Sequence, residues 1–383
     1  MEGKTWTLPI LLFAIVVGYA ALVTPAFAAE VVATVNLENP GGYYGIAYDH
    51  GKGEIFVANG DFDLVYVLSD CTNTVIANIA VGRQPVGIAY DSAKGELFVA
   101  NYASNSVSVI SDATNTVVAE VSVGSQPIAI EYDSGKGEIF VANYNSSSVS
   151  VISDTTNSVI ADIAVGNQPC ALAYDSGKGE IFVGHAVGNQ VLVISDNTNT
   201  VIANVTVENQ PLSLAYDLNR EETFVANYNS SSVSVISDST NTIVATLPVG
   251  VNPNGLAYDP INDQVFVTNY DSKSVSIISD TTNTVVATIP LEGPPQGICY
   301  DSDKEEIFVT YSESRTLSVI STSPSTSSSP NPTESIIEDP IPSISPSIPE
   351  IGFLALLLCG FLLTVAVVER YVKTSKNSKK EKP

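Results

Sequence analysis

The chain has 383 residues, room for one large or two ordinary domains, and 44% of them are apolar, enough for a substantial core. Lysine and arginine total 16 against 41 Asp and Glu, a formal charge of −25. That balance excludes a nucleic-acid surface, which needs a basic stripe to displace counterions.

Residues 1–28 read as an export signal. Lys4 precedes an apolar run from Leu8 to Val23, and Ala26-Phe27-Ala28 has the small-x-small form of a cleavage site. The body, residues 29–321, is a repeat. The pair Tyr-Asp recurs from Tyr48-Asp49 to Tyr300-Asp301 at a constant interval of 42 residues. A period of this length without insertions predicts four-stranded propeller blades. One unit shows the grammar: "PIAIEYD", "EIFVANY", "VSVISD" and "SVIADIAVG" are short β-rich runs separated by "SGKG", "NSSS" and "TTN". The first three strand types occur seven times each. The fourth occurs six times, and its missing copy is "EVVATVNLENPGG" at Glu30–Gly42. The fold predicted is therefore all-β, a seven-bladed propeller closed by the N-terminal strand pairing with the last blade. The "GIAYD" strands are expected to line the central channel. The "VGxQP" and "NYNSSS" loops should then share one face, with "DSGKGE" and "SDTTN" on the other.

The stretch Val265–Asp301, "VFVTNYDSKSVSIISDTTNTVVATIPLEGPPQGICYD", resembles the YVTN β-propeller repeat family of archaeal surface-layer and cell-surface proteins. The likeness covers residues 30–321. It implies a propeller at the cell surface. Some relatives are labelled lactonase-like by fold alone, and that activity is not carried over.

A feature repeated in every blade is expected to be structural, and function is expected where the repeat is broken. The Asp after each Tyr should hold the following turn, and the Tyr should pack between blades. The two histidines, His50 and His185, fall on opposite faces, so no histidine-based catalysis is expected. His185 breaks a column that otherwise reads Asn59, Asn101, Asn143, Asn227 and Asn269, ending in Tyr311. These positions are the ligand-binding candidates, in loops of one face; drift in an exposed loop is the plainer alternative. Asp61 and Asp63 are weak metal candidates, spaced for calcium but lacking a complete loop, so solvated acids are the simpler reading. Asn145, Asn204 and Asn229 head glycosylation sequons. Cys71, Cys170 and Cys299 lie at three different registers, and no disulfide is expected. No cofactor is implied.

Residues 322–349 are rich in Ser, Thr and Pro and read as an extended stalk. Residues 350–369 include the uncharged run "IGFLALLLCGFLLTVAVV", about the length of a single membrane-spanning helix. Residues 370–383 are basic, as suits the cytoplasmic side. "SIPEIGF" with this run also resembles a C-terminal sorting tail of prokaryotic surface proteins. The expected protein is a monomeric, membrane-anchored propeller for adhesion, surface-layer association or binding of surface proteins or glycans, without catalysis. The alternative is an exported lactonase-like or other hydrolytic enzyme with its site at the channel mouth.

Overall fold

The structure, a computed structural model, describes residues 29–39, 41–312 and 314–322. They form seven four-stranded antiparallel sheets, six of them running outward in chain order from an inner strand. Blade three is representative, with strands Pro127–Asp133, Glu138–Asn143, Ser148–Ser153 and Ser158–Ala164. Its hairpins turn through left-handed backbone at Gly137 (φ 68°), Ser147 (φ 57°) and Asn157 (φ 48°). Gly and Asn tolerate that conformation best, which is why the turns read "SGKG" and "TTN". In blade seven the outer strand is Glu30–Asn36, paired antiparallel with Thr316–Ser321 from Glu30 opposite Ser321 to Asn36 opposite Thr316. The expected clasp is present.

The core lies between blades. Phe140, Ala142, Val149 and Val151 of blade three pack on Leu172, Ile181 and Val183 of blade four. Each blade contributes one fully buried phenylalanine, from Phe56 to Phe308. Burying such a side chain stabilises by roughly 1.5–3 kcal/mol. At the channel the inner strands converge closely. A Cβ on Gly45 would stand 2.2 Å from the Val86 carbonyl oxygen, and one on Gly297 would stand 2.1 Å from that of Tyr44. Larger side chains at those two positions would force the strands apart.

The face carrying the "DSGKGE" turns, here the lower face, is a belt built on one plan. Asp133 is fully buried and accepts from the backbone N–H of Gly135 (2.8 Å) and Lys136 (3.2 Å). Burial, and then the neighbouring Asp133 carboxylate, push the Tyr174 phenol of the next blade up. Lys136 reaches across the same seam, donating to the Asp196 carbonyl and standing 3.4 Å from its carboxylate. Equivalent ion pairs join Lys52 to Asp112, Lys94 to Asp154, Lys178 to Asp238, Arg220 to Asp280 and Lys304 to Asp70. At the seam between blades six and seven both charges are gone. Asn262 meets Thr322 there at 3.5 Å.

Among the described residues no helix is long and apolar enough to cross a membrane. The predicted export signal, membrane span and basic tail lie outside the described residues, as does the predicted stalk except for its first residue, Thr322, which belongs to the propeller seam.

Candidate ligand-binding site

The sequence-predicted column does not form a loop surface. His185 ends the second strand of blade four and is only 4% exposed; its Nε2 lies 2.9 Å from the Val165 carbonyl oxygen. Nδ1 lies 3.4 Å from that of Gln190. Asn59, Asn101, Asn143, Asn227 and Asn269 are fully buried at the same register. Asn143 Nδ2 donates to Ser150 Oγ at 2.8 Å, and Asn101, Asn227 and Asn269 repeat that bond. Asn59 instead accepts from the Asp61 N–H at 3.1 Å. The expectation of an exposed loop is thus corrected. Strand pairing continues one residue further than the turn residues suggest, and it buries this column inside each blade.

Asp61 and Asp63 act on backbone. Asp61 accepts from the Gly42 N–H and Asp63 from the Gln84 N–H, both at 2.8 Å. His50 is exposed on the lower face, edge-on to Tyr90. Cys71, Cys170 and Cys299 are free thiols. Asn145, Asn204 and Asn229 are all exposed.

What the inner strands bring together is a cavity of about 620 Å³ at the upper mouth of the channel. Its rim is set by the second residue of each inner strand, and here the repeat is broken in an ordered way. Blades two to five present Val86, Ile128, Cys170 and Leu212, a continuous apolar arc. Blades six, seven and one present Asn254, Gln296 and Tyr44, a continuous polar arc. Gln296 Oε1 is buried and accepts no hydrogen bond among the described residues.

The walls behind each arc follow the same division. In blades six and seven, Thr268 and Thr310 replace the Ala of blades one, two, three and five and accept from the Gly255 and Gly297 N–H at 2.8 and 2.9 Å. Above the apolar arc stand Tyr102 and Tyr144. Burial, then Tyr102 and Cys170, raise the Tyr144 phenol, and burial alone pushes the Cys170 thiol up to about 12. Tyr44 fills the space that Gly60 leaves where blades two, three, five and six have a tyrosine, and burial, then Asp61 and Tyr270, raise its phenol. Cavities that are mostly apolar with a few placed polar groups are the usual form of a small-molecule site.

Below the rim, at the fifth residue of each inner strand, five blades carry Ala47, Ala89, Ala173, Ala215 and Ala257, and blade seven carries Cys299. Blade three carries Glu131. It is half-buried, makes no hydrogen bond or ion pair among the described residues, and is raised to about 8 by burial. Sequence reasoning passed over it and over the rim, although both show as breaks when the inner strands are aligned at 42 residues.

No family model matches the chain, and no curated protein matches it. Among solved structures it is similar to hydrazine synthase of Kuenenia stuttgartiensis. The two share 18% identity at a TM-score of 0.68, covering 75% of this chain and 97% of that one. This likeness supports the propeller fold.

Proposed function

We propose that the chain is a non-catalytic cell-surface propeller of YVTN type whose channel mouth binds a small organic ligand with one apolar and one polar side. The observation that carries this reading is the divided rim, Val86 to Leu212 against Asn254 to Tyr44, in a molecule whose other rings are nearly uniform. The export signal, stalk and apolar segment read from the sequence support display outside the membrane.

The test uses N-phenyl-1-naphthylamine, an uncharged aromatic probe that brightens in apolar surroundings. It should saturate at one site on the full-length chain. Ile128→Trp, which fills the apolar arc, should abolish the signal with the fold intact by circular dichroism. Equal binding by this variant overturns the reading. So does turnover of simple lactones by the purified protein, which would restore the enzymatic alternative.

A further inference from the structure

Outside the channel, the outer half of the blade fills a polar pocket in one repeat and leaves it open in another. In blade two the third and fourth strands, Ser106–Ser111 and Thr116–Ser122, set Ser108 opposite Glu120. Ser106 and Ser108 donate their hydroxyls to the two Glu120 carboxylate oxygens, the second at 2.8 Å. Asn101 Nδ2 orients both serines, at 3.3 and 2.8 Å. In blade three Ser150 gives Asp162 the same bond at 2.6 Å. Blade six repeats the donors without the acid. Asn269 Nδ2 donates to Ser274 and Ser276 at 3.2 and 2.9 Å, and Thr288 stands opposite Ser276. Both serines are buried, and among the described residues their hydroxyls accept from Asn269 and donate to nothing. Here a groove of about 600 Å³ opens between the outer strands of blades five and six, Thr242–Pro248 and Thr284–Pro290. It is lined by Ser274, Ser276 and Thr288 and by the apolar Pro248, Val285 and Pro290.

From this repetition we infer that the blade-six groove binds a small organic carboxylate, its anion against Ser274 and Ser276 and its short apolar body against Pro248 and Pro290. The site is independent of the channel mouth. Blade two demonstrates that this donor set holds a carboxylate, because Glu120 is one. Hydrogen bonds to an ionised acceptor are roughly twice as strong as neutral ones, so the same hydroxyls favour an anion over an uncharged carbonyl. The groove of blade five is not equivalent. The Gly82 N–H lies 3.2 Å from Ser108 Oγ, and the residue at that register is Gly250 beside blade six but Glu208 beside blade five. There a like charge stands near Ser232 and Ser234. The turn of blade six adds a cation. Lys273 is exposed between Ser272 and Ser274, where blades two, three and five carry Asn105, Ser147 and Ser231. The acid of the same turn, Asp271, accepts from Asn252 Nδ2 at 3.0 Å.

The experiment follows butyrate and the near-isosteric, uncharged butyramide by saturation-transfer NMR on the full-length chain at pH 7.5. Butyrate should bind at one saturable site, about tenfold tighter than butyramide. Thr288→Glu gives blade six the acid of blade two and should abolish butyrate binding, with the fold intact by circular dichroism. Thr246→Glu, the same change one blade away, should leave binding within about twofold. Ser274→Ala removes one donor and should weaken butyrate severalfold. Equal binding of butyrate and butyramide, butyrate binding by a folded Thr288→Glu variant, or unchanged binding by Ser274→Ala each overturns the inference. Ile128→Trp at the channel mouth should leave butyrate binding as it is. If that substitution removes it, the carboxylate sits in the channel and the groove assignment falls, while the mouth reading stands.

Discussion

The lower face and the upper mouth of the channel are built from the same seven repeats and obey opposite rules. Below, six of seven seams carry the same lysine- or arginine-to-aspartate ion pair, each beside a buried turn-holding Asp. Above, the rim residue differs in every blade, yet the differences are sorted into one apolar and one polar arc. A repeat accumulates random change wherever packing permits it, and such change is not sorted around a ring. Uniformity below therefore marks what the blades need in order to stack, and ordered diversity above marks the part of the ring that stacking leaves free, where we place the proposed ligand site. The two faces should separate experimentally, one controlling stability and the other binding.

The largest effect should come from the belt. Asp133→Ala removes a buried carboxylate that holds two backbone N–H groups, and bonds to a charged group contribute about 1.5–3 kcal/mol. A loss of about 3 kcal/mol in urea unfolding is expected, with naphthyl-probe affinity unchanged in the folded protein. Leu212→Ala at the rim should do the reverse, weakening the probe severalfold while costing under about 1.5 kcal/mol, because that side chain is only half-buried. If both variants moved both readouts together, the division between the faces would be lost.

Next in size is the response to pH. Burial raises Glu138 against the opposing pull of Lys136, and the same holds for Glu54, Glu96, Glu180 and Glu306 with their own lysines. Burial first and Asp217 second raise Asp280 to about 6. Unfolded carboxyls titrate near 3.9 to 4.3. Between about pH 4 and 6 the folded belt thus binds more protons than the unfolded chain, so its stability falls as pH rises. Glu131, at about 8, extends the same slope toward neutrality. The urea midpoint should be higher at pH 4.5 than at pH 7.5. A higher midpoint at pH 7.5 would mean that the lysines outweigh burial.

Much of the architecture was legible because it is written seven times. The 42-residue spacing fixes the blades, the missing fourth strand fixes the clasp, and Asp after Tyr fixes the lower turns. The site was harder to read, for two physical reasons. A strand end such as Asn143 or His185 carries loop-forming residue types while its side chain is buried, so residue type alone misplaces it. The rim and Glu131 are each a single substitution per blade within an apolar strand. Their meaning appears only when the closed ring sets them beside one another in space.

The smallest effect concerns the one seam that departs from the belt. Between blades six and seven, Asn262 and Thr322 stand where the other seams have a basic residue and an aspartate, and Gln264 replaces the glutamate. Thr322 Oγ1 donates to the Glu305 carbonyl at 2.8 Å, so this seam has its own neutral solution. Thr322→Asp alone should destabilise by about 1 kcal/mol, because it gives up that bond and sets an anion near the buried Asp259 with no cation to meet it. Asn262→Lys alone should be close to neutral, since its ammonium can remain in water. The double variant should recover most of the loss, with a coupling of roughly 0.5–1 kcal/mol, the usual worth of a partly exposed pair. Urea midpoints of the four proteins measure that coupling. A coupling of zero would show that the six ion pairs are incidental to the seams they cross. A positive one would explain why a chain that lost one partner at this seam lacks the other as well.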